Sequence, residues 1–584
     1  MPHVITQSCC GDGSCVYACP VNCIHPSPDE PGFGTAEMLH IDPDACVDCG
    51  ACVTACPVGA IVADTRLTAA QLPFVDINAA YYPPRPDGAK VPPTTKLAPV
   101  LPAPRPERGG LTVAVVGSGP AGMYAADELL TQARVRVNVF DALPTPYGLV
   151  RSGVAPDHPR TKAITGLFDR MSRRDGFRFY LNVTVGQHIS HEELLEHHHA
   201  VLYAVGAAHE RRLDVEGMHL PGAGSATEFV AWINGHPGAA ALPVDLNHPT
   251  AVVIGNGNVA LDVARILTAE PERLAATDIS DAALAALRMS AVREVVVAAR
   301  RGPAESAFTL PELIGLTTSS HVVLDEADRA LVHADLLAAK DPVTRAKLEV
   351  LAALPSVDTG ADADAAAEPD RRRIRLAYRL TPARILGTDR TEGMQFTRGE
   401  QTVHLDAGLV LTSIGYCGRP VAGLPFDDAA GVVPNADGRV IDPATGRPVA
   451  GAYVAGWIKR GPTGFIGTNK SCAMKTVAAL VDDFNDGRLV DPVRRTALLD
   501  KLIRVRQPDL IDAAGWRAID DAERSRGAGE GRPRAKFTTV ADLVAAARTG
   551  RSARRGGGLM GGGLMGGGLI GGGHMDRIAS WISS

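Results

Sequence analysis

Nine of the chain's eleven cysteines fall between residues 9 and 56, and the last four read Cys46-x2-Cys49-x2-Cys52-x3-Cys56-Pro57. No other feature constrains its segment so tightly, because three thiols at this spacing must wrap a common centre while the fourth reaches for a second one. Such a run holds an iron–sulfur cluster, and where two clusters share a domain the fourth cysteine ligates the other one. Working back from Cys19-Pro20 gives a first run, Cys9-x2-Asp12-x2-Cys15-x3-Cys19-Pro20, with Asp12 where a thiolate belongs. Exchanging the fourth cysteines defines two sites. Cys46, Cys49, Cys52 and Cys19 form a complete [4Fe–4S] set. Cys9, Cys15 and Cys56 suit a [3Fe–4S] cluster, or a [4Fe–4S] cluster whose fourth iron is held by Cys10 or, more weakly, by Asp12. Cys10 is also an alternative to Cys9, and Cys23 reads as a free thiol beside a cluster. A structural zinc site needs only separated Cys-x2-Cys pairs. The longer string selects iron–sulfur.

With 584 residues the chain needs several cores, and 45% hydrophobic with 21% charged residues is the balance of a soluble globular protein. The start has neither a basic nor an apolar signal region, and no apolar run is long enough to span a bilayer. Clustered cysteines then imply metal ligation in a reducing compartment, so the expected location is cytoplasmic. The net charge of −6 is unevenly spread. Through residue 75, Asp12, Asp29, Glu30, Glu37, Asp42, Asp44, Asp48 and Asp64 face Arg66 alone. An acidic segment beside a near-neutral remainder suits docking onto a basic surface, or simply solubility. Nothing points to nucleic acid.

The expected organisation is multidomain. An α+β iron–sulfur domain covers 1–72, and a Pro-rich linker covers 73–108, where ten prolines from Pro73 to Pro106 oppose helix and central strand. Tyr81 and Tyr82 are candidates to pin part of it to a domain surface. From Leu111 the pattern alternates β-branched runs and amphipathic helices, which means parallel α/β sheets. Two dinucleotide-binding units are expected: a discontinuous one at 109–210 and 400–530, and an inserted one at 211–399. Residues 323–371 read as a helical excursion with a flexible acidic loop. Residues 531–584 read as a C-terminal helix and a Gly-rich disordered tail.

The first fingerprint is Gly117-Ser-Gly119-Pro120-Ala121-Gly122, after the strand Leu111–Val116. Gly117 makes the tight turn, Gly119 admits backbone amides to a pyrophosphate, and Gly122 lets helix and strand pack closely. Asp141 ends the next strand, where a carboxylate accepts from a ribose hydroxyl. The following segment, Leu143-Pro-Thr-Pro-Tyr-Gly-Leu149-Val-Arg151-Ser-Gly-Val-Ala-Pro-Asp157-His158-Pro, closely resembles the adrenodoxin reductase family of ferredoxin–NADP reductases from about Leu111 to about Gly529. The N-terminal segment resembles seven-iron bacterial ferredoxins. The resemblance implies that the first turn binds FAD, with Leu149 nearby, although the family usually has Glu where Asp141 stands.

The second fingerprint is Gly255-Asn256-Gly257-Asn258-Val259-Ala260. Arg300 and Arg301 follow the next strand, where an NAD site wants an acid, and two guanidiniums suit the extra phosphate of NADPH. The resemblance adds Glu312 to the NADP site, while Gly315 stands where many relatives have a further acid. It also brings Trp457 and the loop Gly464-Phe465-Ile466-Gly467 to the isoalloxazine and nicotinamide, with Gly464 near both. His158 and Asp157 form a candidate proton-handling pair, with a structural histidine as the competing reading. No Cys-x-x-Cys lies in the reductase portion, which opposes a disulfide mechanism.

These features predict an NADPH-dependent ferredoxin reductase with a built-in ferredoxin. Hydride passes from NADPH to FAD, then single electrons leave through the clusters to an external ferredoxin or a cytochrome P450. The competing readings are an electron-input subunit resembling the glutamate synthase small subunit and a redox sensor with a labile first cluster.

Overall fold

The computed structural model describes residues 2–82, 97–98, 105–107, 109–132, 134–207, 209–357 and 371–557, with side chains through 549. The Pro-rich core of the expected linker, the acidic loop and the Gly-rich tail lie outside these residues.

The cysteine segment is an α+β unit of two small antiparallel pairs, His3–Ile5 with Ile61–Ala63 and Ile24–His25 with His40–Ile41. Its core buries Val4, Ile5, Val16, Ile24, Leu39 and Ile41. The linker expectation fails at its start, because Pro73–Ala80 is a helix. Pro73 occupies the first turn, where its missing N–H costs nothing. Phe74 and Asn78 are buried, and the Asn78 amide bonds the backbone of Ile5 and Ile41. Tyr82 Oη donates to the carbonyls of His40 (2.7 Å) and Cys23 (3.2 Å), and Tyr81 stacks on His40, so both tyrosines pin the chain to this unit.

The first α/β unit has a seven-stranded sheet. Phe177–Leu181, Arg136–Asp141, Thr112–Val116, Ala200–Tyr203 and Pro448–Val454 run parallel in that order, and two short antiparallel strands close the edge. Its strands read as continuous apolar runs because both faces are covered. Helix Thr468–Asn485 packs along Pro120–Leu130 through small residues such as Ala125 and Ala473. The C-terminal helix Val540–Gly557 is not a separate appendage: Leu543, Val544 and Ala547 join this unit's core beside Trp516.

The inserted unit has six parallel strands in the order Ala223–Ser225, Leu409–Thr412, Thr250–Ile254, Glu294–Ala298, Arg373–Ala377, Val322–Leu324. This corrects the boundary at 399/400. Leu409–Thr412 reads as the chain's return to the first unit, yet it pairs with Thr250–Ile254 and belongs to the inserted sheet. Its four residues are buried on both faces and could fill a central position in either sheet. The strand beside it decides the matter, and sequence pattern does not name that strand. In both units the fingerprint strand has its neighbours on either side, so the chain reverses there and leaves a crevice at the strand's carboxyl end.

Candidate functional site

The two cysteine runs fold into matching turns. Helices Ser14–Ala18 and Ala51–Ala55 each follow a left-handed glycine, Gly13 or Gly50, and each stops at an extended cysteine, Cys19 or Cys56. Cys19 therefore meets Cys46 and Cys52, while Cys56 meets Cys9 and Cys15. Cys19, Cys46, Cys49 and Cys52 line a recess of about 280 Å³. Cys23 also reaches it, with its sulfur 3.4 Å from that of Cys19. Hydrogen bonding from the Cys23 thiol holds Cys46 at about 5 and Cys19 at about 6. Cys49 is exposed and Val47 beside it is 59% exposed, so this recess faces outward.

Around the second set, burial pushes the Cys9 thiol up to about 11 and those of Cys10 and Cys15 well above the usual range. Asp12 adds like charge. Buried thiols so crowded persist as thiolates only around a cation, so this donor set fits a cluster. Asp12 itself is committed elsewhere. Its carboxylate accepts from the Ser14 hydroxyl and from Ser14 N (3.3 Å), and Lys470 Nζ stands 3.7 Å away. Cys10 packs with Val58, Ala60 and Tyr124 at the contact with the first α/β unit.

In the first α/β unit a Cβ on Gly117 would lie 2.4 Å from the Ala204 carbonyl oxygen, and one on Gly122 1.9 Å from that of Gly117, so only glycine fits either place. The helix beginning at Pro120 carries Ala121 in its first turn. Gly456 abuts Ala121, which brings Trp457 to the same crevice. Trp457 Nε1 donates to the Thr463 carbonyl (3.1 Å), and its ring lies 5.6 Å from that of Tyr416. Phe465 and Ile466 are held by Thr468 and Asn469 at the start of the next helix. Leu149, 40% exposed, opens the helix Leu149–Ser152 beyond the turn at Tyr147 and Gly148. Asp141 accepts from Ser118 N (2.8 Å), Ser118 Oγ (2.5 Å) and Leu143 N (2.9 Å). Burial raises its pKa and these donors oppose the shift.

In the inserted unit Gly255 abuts the Ser413 carbonyl, and helix Asn258–Thr268 begins directly after Gly257. Asn256 and Asn258 accept from Ala307 N (3.4 Å) and Thr309 N (2.8 Å). Thr309 in turn caps the helix Leu310–Ser319, which carries Glu312. Val259 lies in the first turn of the fingerprint helix. Arg300 and Arg301 are exposed beyond the strand Glu294–Ala298, with Arg301 3.8 Å from Glu305.

The pairing of Asp157 with His158 is corrected. Both residues face the inserted unit, where Arg265 takes Asp157 bidentately at 2.6 and 2.9 Å. His158 Nε2 instead meets Asp262 (3.1 Å), and Glu312 lies 4.0 Å away. Burial disfavours the imidazolium, but Asp262 outweighs it and the His158 pKa is raised. Despite its own burial, Asp262 is held at about 2 by Arg265 and His158. Arg265 escaped sequence reasoning, although its place three residues after Asp262 on one helix was the available signal. Lys470, which bonds the Asp12 carbonyl (3.3 Å) and Ser14 Oγ (3.2 Å), left no local signal at all.

Comparisons with known proteins agree with this geometry. Residues 8–60 and 38–88 match models of the 4Fe-4S dicluster domain, and residues 111–296 match pyridine nucleotide-disulphide oxidoreductase. The chain is 67% identical over 551 residues to the probable ferredoxin/ferredoxin–NADP reductase of Mycobacterium tuberculosis, covering 94% of this chain and 95% of that one. It is 40% identical to the NADPH-ferredoxin reductase FprA of the same species over 74% of this chain and 98% of the relative. The solved structure of Mycobacterium tuberculosis FprA in complex with NADPH superposes with a TM-score of 0.68 at 38% identity, covering 75% of this chain and 100% of FprA. Among the described residues no helix is long and apolar enough to cross a membrane. An N-terminal iron–sulfur dicluster unit joined to two dinucleotide-binding units, matched along nearly its whole length, places the chain in the ferredoxin/ferredoxin–NADP reductase family.

Proposed function

We propose that the chain passes electrons from NADPH through its own ferredoxin unit to an external one-electron acceptor, a ferredoxin or a cytochrome P450. In this route the Cys9/Cys15/Cys56 site stands nearest the flavin and the Cys19/Cys46/Cys49/Cys52 site faces the acceptor. One contact carries the ordering: Gly467 N donates to the Cys10 carbonyl at 2.8 Å, so the loop that holds Phe465 and Ile466 touches the loop that holds Cys9. A Cβ on Gly467 would lie 2.1 Å from the Gly11 carbonyl carbon, which shows how closely the backbones approach. The exposure of Cys49 supports the outward role of the other site.

FAD, when bound, converts the electron pair carried by NADPH into the single electrons that clusters accept. Gly117, Gly119, Pro120, Ala121 and Gly122 hold its pyrophosphate at a helix N-terminus, and Asp141 retains lone pairs for a ribose hydroxyl. Leu149, Trp457, Gly464, Phe465 and Ile466 flank the ring. Gly255, Asn256, Gly257, Asn258 and Val259 receive the NADP pyrophosphate, Arg300 and Arg301 its 2′-phosphate, and Glu312 with Gly464 the nicotinamide end. His158 joins the two dinucleotide-binding units through Asp262 and Arg265, beside Glu312. The commitment of Asp12 to Ser14 and Lys470 supports three thiolates and a [3Fe–4S] cluster at the inner site. Anaerobic NADPH titration, followed by absorbance and low-temperature EPR, tests the route. Loss of the oxidised three-iron signal together with flavin bleaching is expected. Bleaching of flavin alone overturns it.

A further inference from the structure

The ferredoxin unit reaches past the flavin loop to the nicotinamide end of the site. Helix Leu310–Ser319 of the inserted unit lies against it, and Leu310 and Ile314 are part of the ferredoxin's buried core. Glu37 fastens the start of this helix by accepting from Leu310 N (2.7 Å), and it also accepts from Lys347 Nζ (2.6 Å) on the neighbouring helix Pro342–Ala352. On the adjoining face, Glu312 and Gly315 stand three residues apart and so lie one above the other. Gln7, two residues before Cys9, fills that face. Its amide Nε2 donates to Glu312 Oε2 at 3.2 Å. A Cβ on Gly315 would lie 2.0 Å from this nitrogen and 2.4 Å from Gln7 Cδ, so the amide rests directly on the bare backbone of Gly315.

We propose that Gln7 is a positioning residue for NADP(H): seated in the notch left by Gly315, it holds the Glu312 carboxylate toward His158, so that the docked ferredoxin unit completes the nicotinamide site. The inference rests on the reading that Glu312 belongs to that site. A side chain at Gly315 would take the space Gln7 needs, so an acid there and a ferredoxin-borne glutamine are alternative neighbours for Glu312. The coupling is reciprocal. If ferredoxin docking orients Glu312 for NADP(H), bound NADP(H) tightens docking by the same factor.

The test is the NADP+ dissociation constant of the oxidised holoenzyme, read from the perturbation of the flavin absorbance band, in Gln7→Ala, Gly315→Ala, Glu312→Gln and the double variant Gln7→Ala/Glu312→Gln. Gln7→Ala removes one hydrogen bond to a charged group, and about a 10-fold weakening is expected. Gly315→Ala displaces the flexible amide and is expected to weaken NADP+ to a similar extent, with iron content unchanged in both variants. Because Gln7 acts through Glu312, the double variant is expected to bind NADP+ no more weakly than Glu312→Gln alone. A mere packing role for Gln7 predicts additive losses, and additivity overturns the proposal. So does unaltered NADP+ affinity in Gln7→Ala when Glu312→Gln weakens it. If Glu312→Gln leaves affinity unaltered, the assignment of Glu312 to the site has failed, and the proposal falls with it.

Discussion

Asp278→Asn should weaken the hold of the two dinucleotide-binding units on each other. Asp278 belongs to the inserted unit and takes one lysine on each oxygen. Lys162 of the first unit bonds Oδ1 at 2.6 Å, and Lys536, from the segment before the C-terminal helix, meets Oδ2 at 2.9 Å. Asn234 Oδ1 backs both ammoniums, at 2.7 and 3.4 Å. The side chains of Lys162 and Asp278 are 12% exposed and that of Lys536 1%. Removing the carboxylate leaves two buried ammoniums facing an amide, and breaking a buried pair in this way costs about 3–5 kcal/mol. For units of this size that is roughly 6–20 °C in the thermal midpoint.

The sign of the pH dependence follows from the lysines. Lys162 and Lys536 are already lowered, chiefly by burial, and Asp278 opposes that fall. Without Asp278 one further proton leaves the folded state while the unfolded chain keeps it. The gap between variant and parent therefore narrows as pH rises, by up to about 1.4 kcal/mol per pH unit. Thermal unfolding at pH 6, 7.5 and 9, followed by flavin release, measures both quantities. The exposed pair Glu272–Arg288 is the control, and Glu272→Gln should leave the midpoint unmoved. A loss below about 1 kcal/mol, or a gap independent of pH, would falsify the electrostatic account of this lock.

Three further outcomes are expected. Arg300→Ala or Arg301→Ala removes a charge-assisted contact of about 1.5–3 kcal/mol, so steady-state kinetics should show KM for NADPH rising roughly 10- to 150-fold while NADH oxidation is unmoved. On the proposed three-iron assignment, Cys56→Ala should lower bound iron from about seven to about four atoms per chain and abolish the three-iron EPR signal, because Cys56 meets Cys9 and Cys15. Asp262→Asn should move the His158 pKa from above its ordinary value to below it, since burial and Arg265 then act unopposed by the nearest carboxylate. The raised parent value means that His158 stabilises the fold below its unfolded pKa of about 6.5, and that this stabilisation fades as pH rises through the folded value. Titration of 13C-labelled histidine by NMR reads the change.

The cysteine spacing and the two glycine fingerprints were legible in the sequence, because each encodes a turn whose geometry is complete within a few residues. Cys15 and Cys52 take equivalent places because their local sequences demand the same glycine-started helix. Gly117 and Gly122 are likewise explained by backbone atoms of their own unit. The segment Leu409–Thr412 was assigned to the wrong unit, since any central parallel position accepts such an apolar run. The helix Pro73–Ala80 was hidden by a proline that the first helical turn tolerates.

Contacts between units had no such local code. The touch of Gly467 on Cys10, the hold of Lys470 on Asp12, the seat of Gln7 on Gly315 and the bridge of Asp278 between Lys162 and Lys536 join residues far apart in the chain. Their partners are chosen by how whole units dock, which depends on the sum of many packed surfaces rather than on any short pattern. Sequence alone thus settled which cofactor chemistries this chain supports, because ligand spacing and phosphate cradles are local geometry. How the units touch, and which side chains guard the junctions, was decided only by tertiary structure, because docking is a property of surfaces assembled from distant segments.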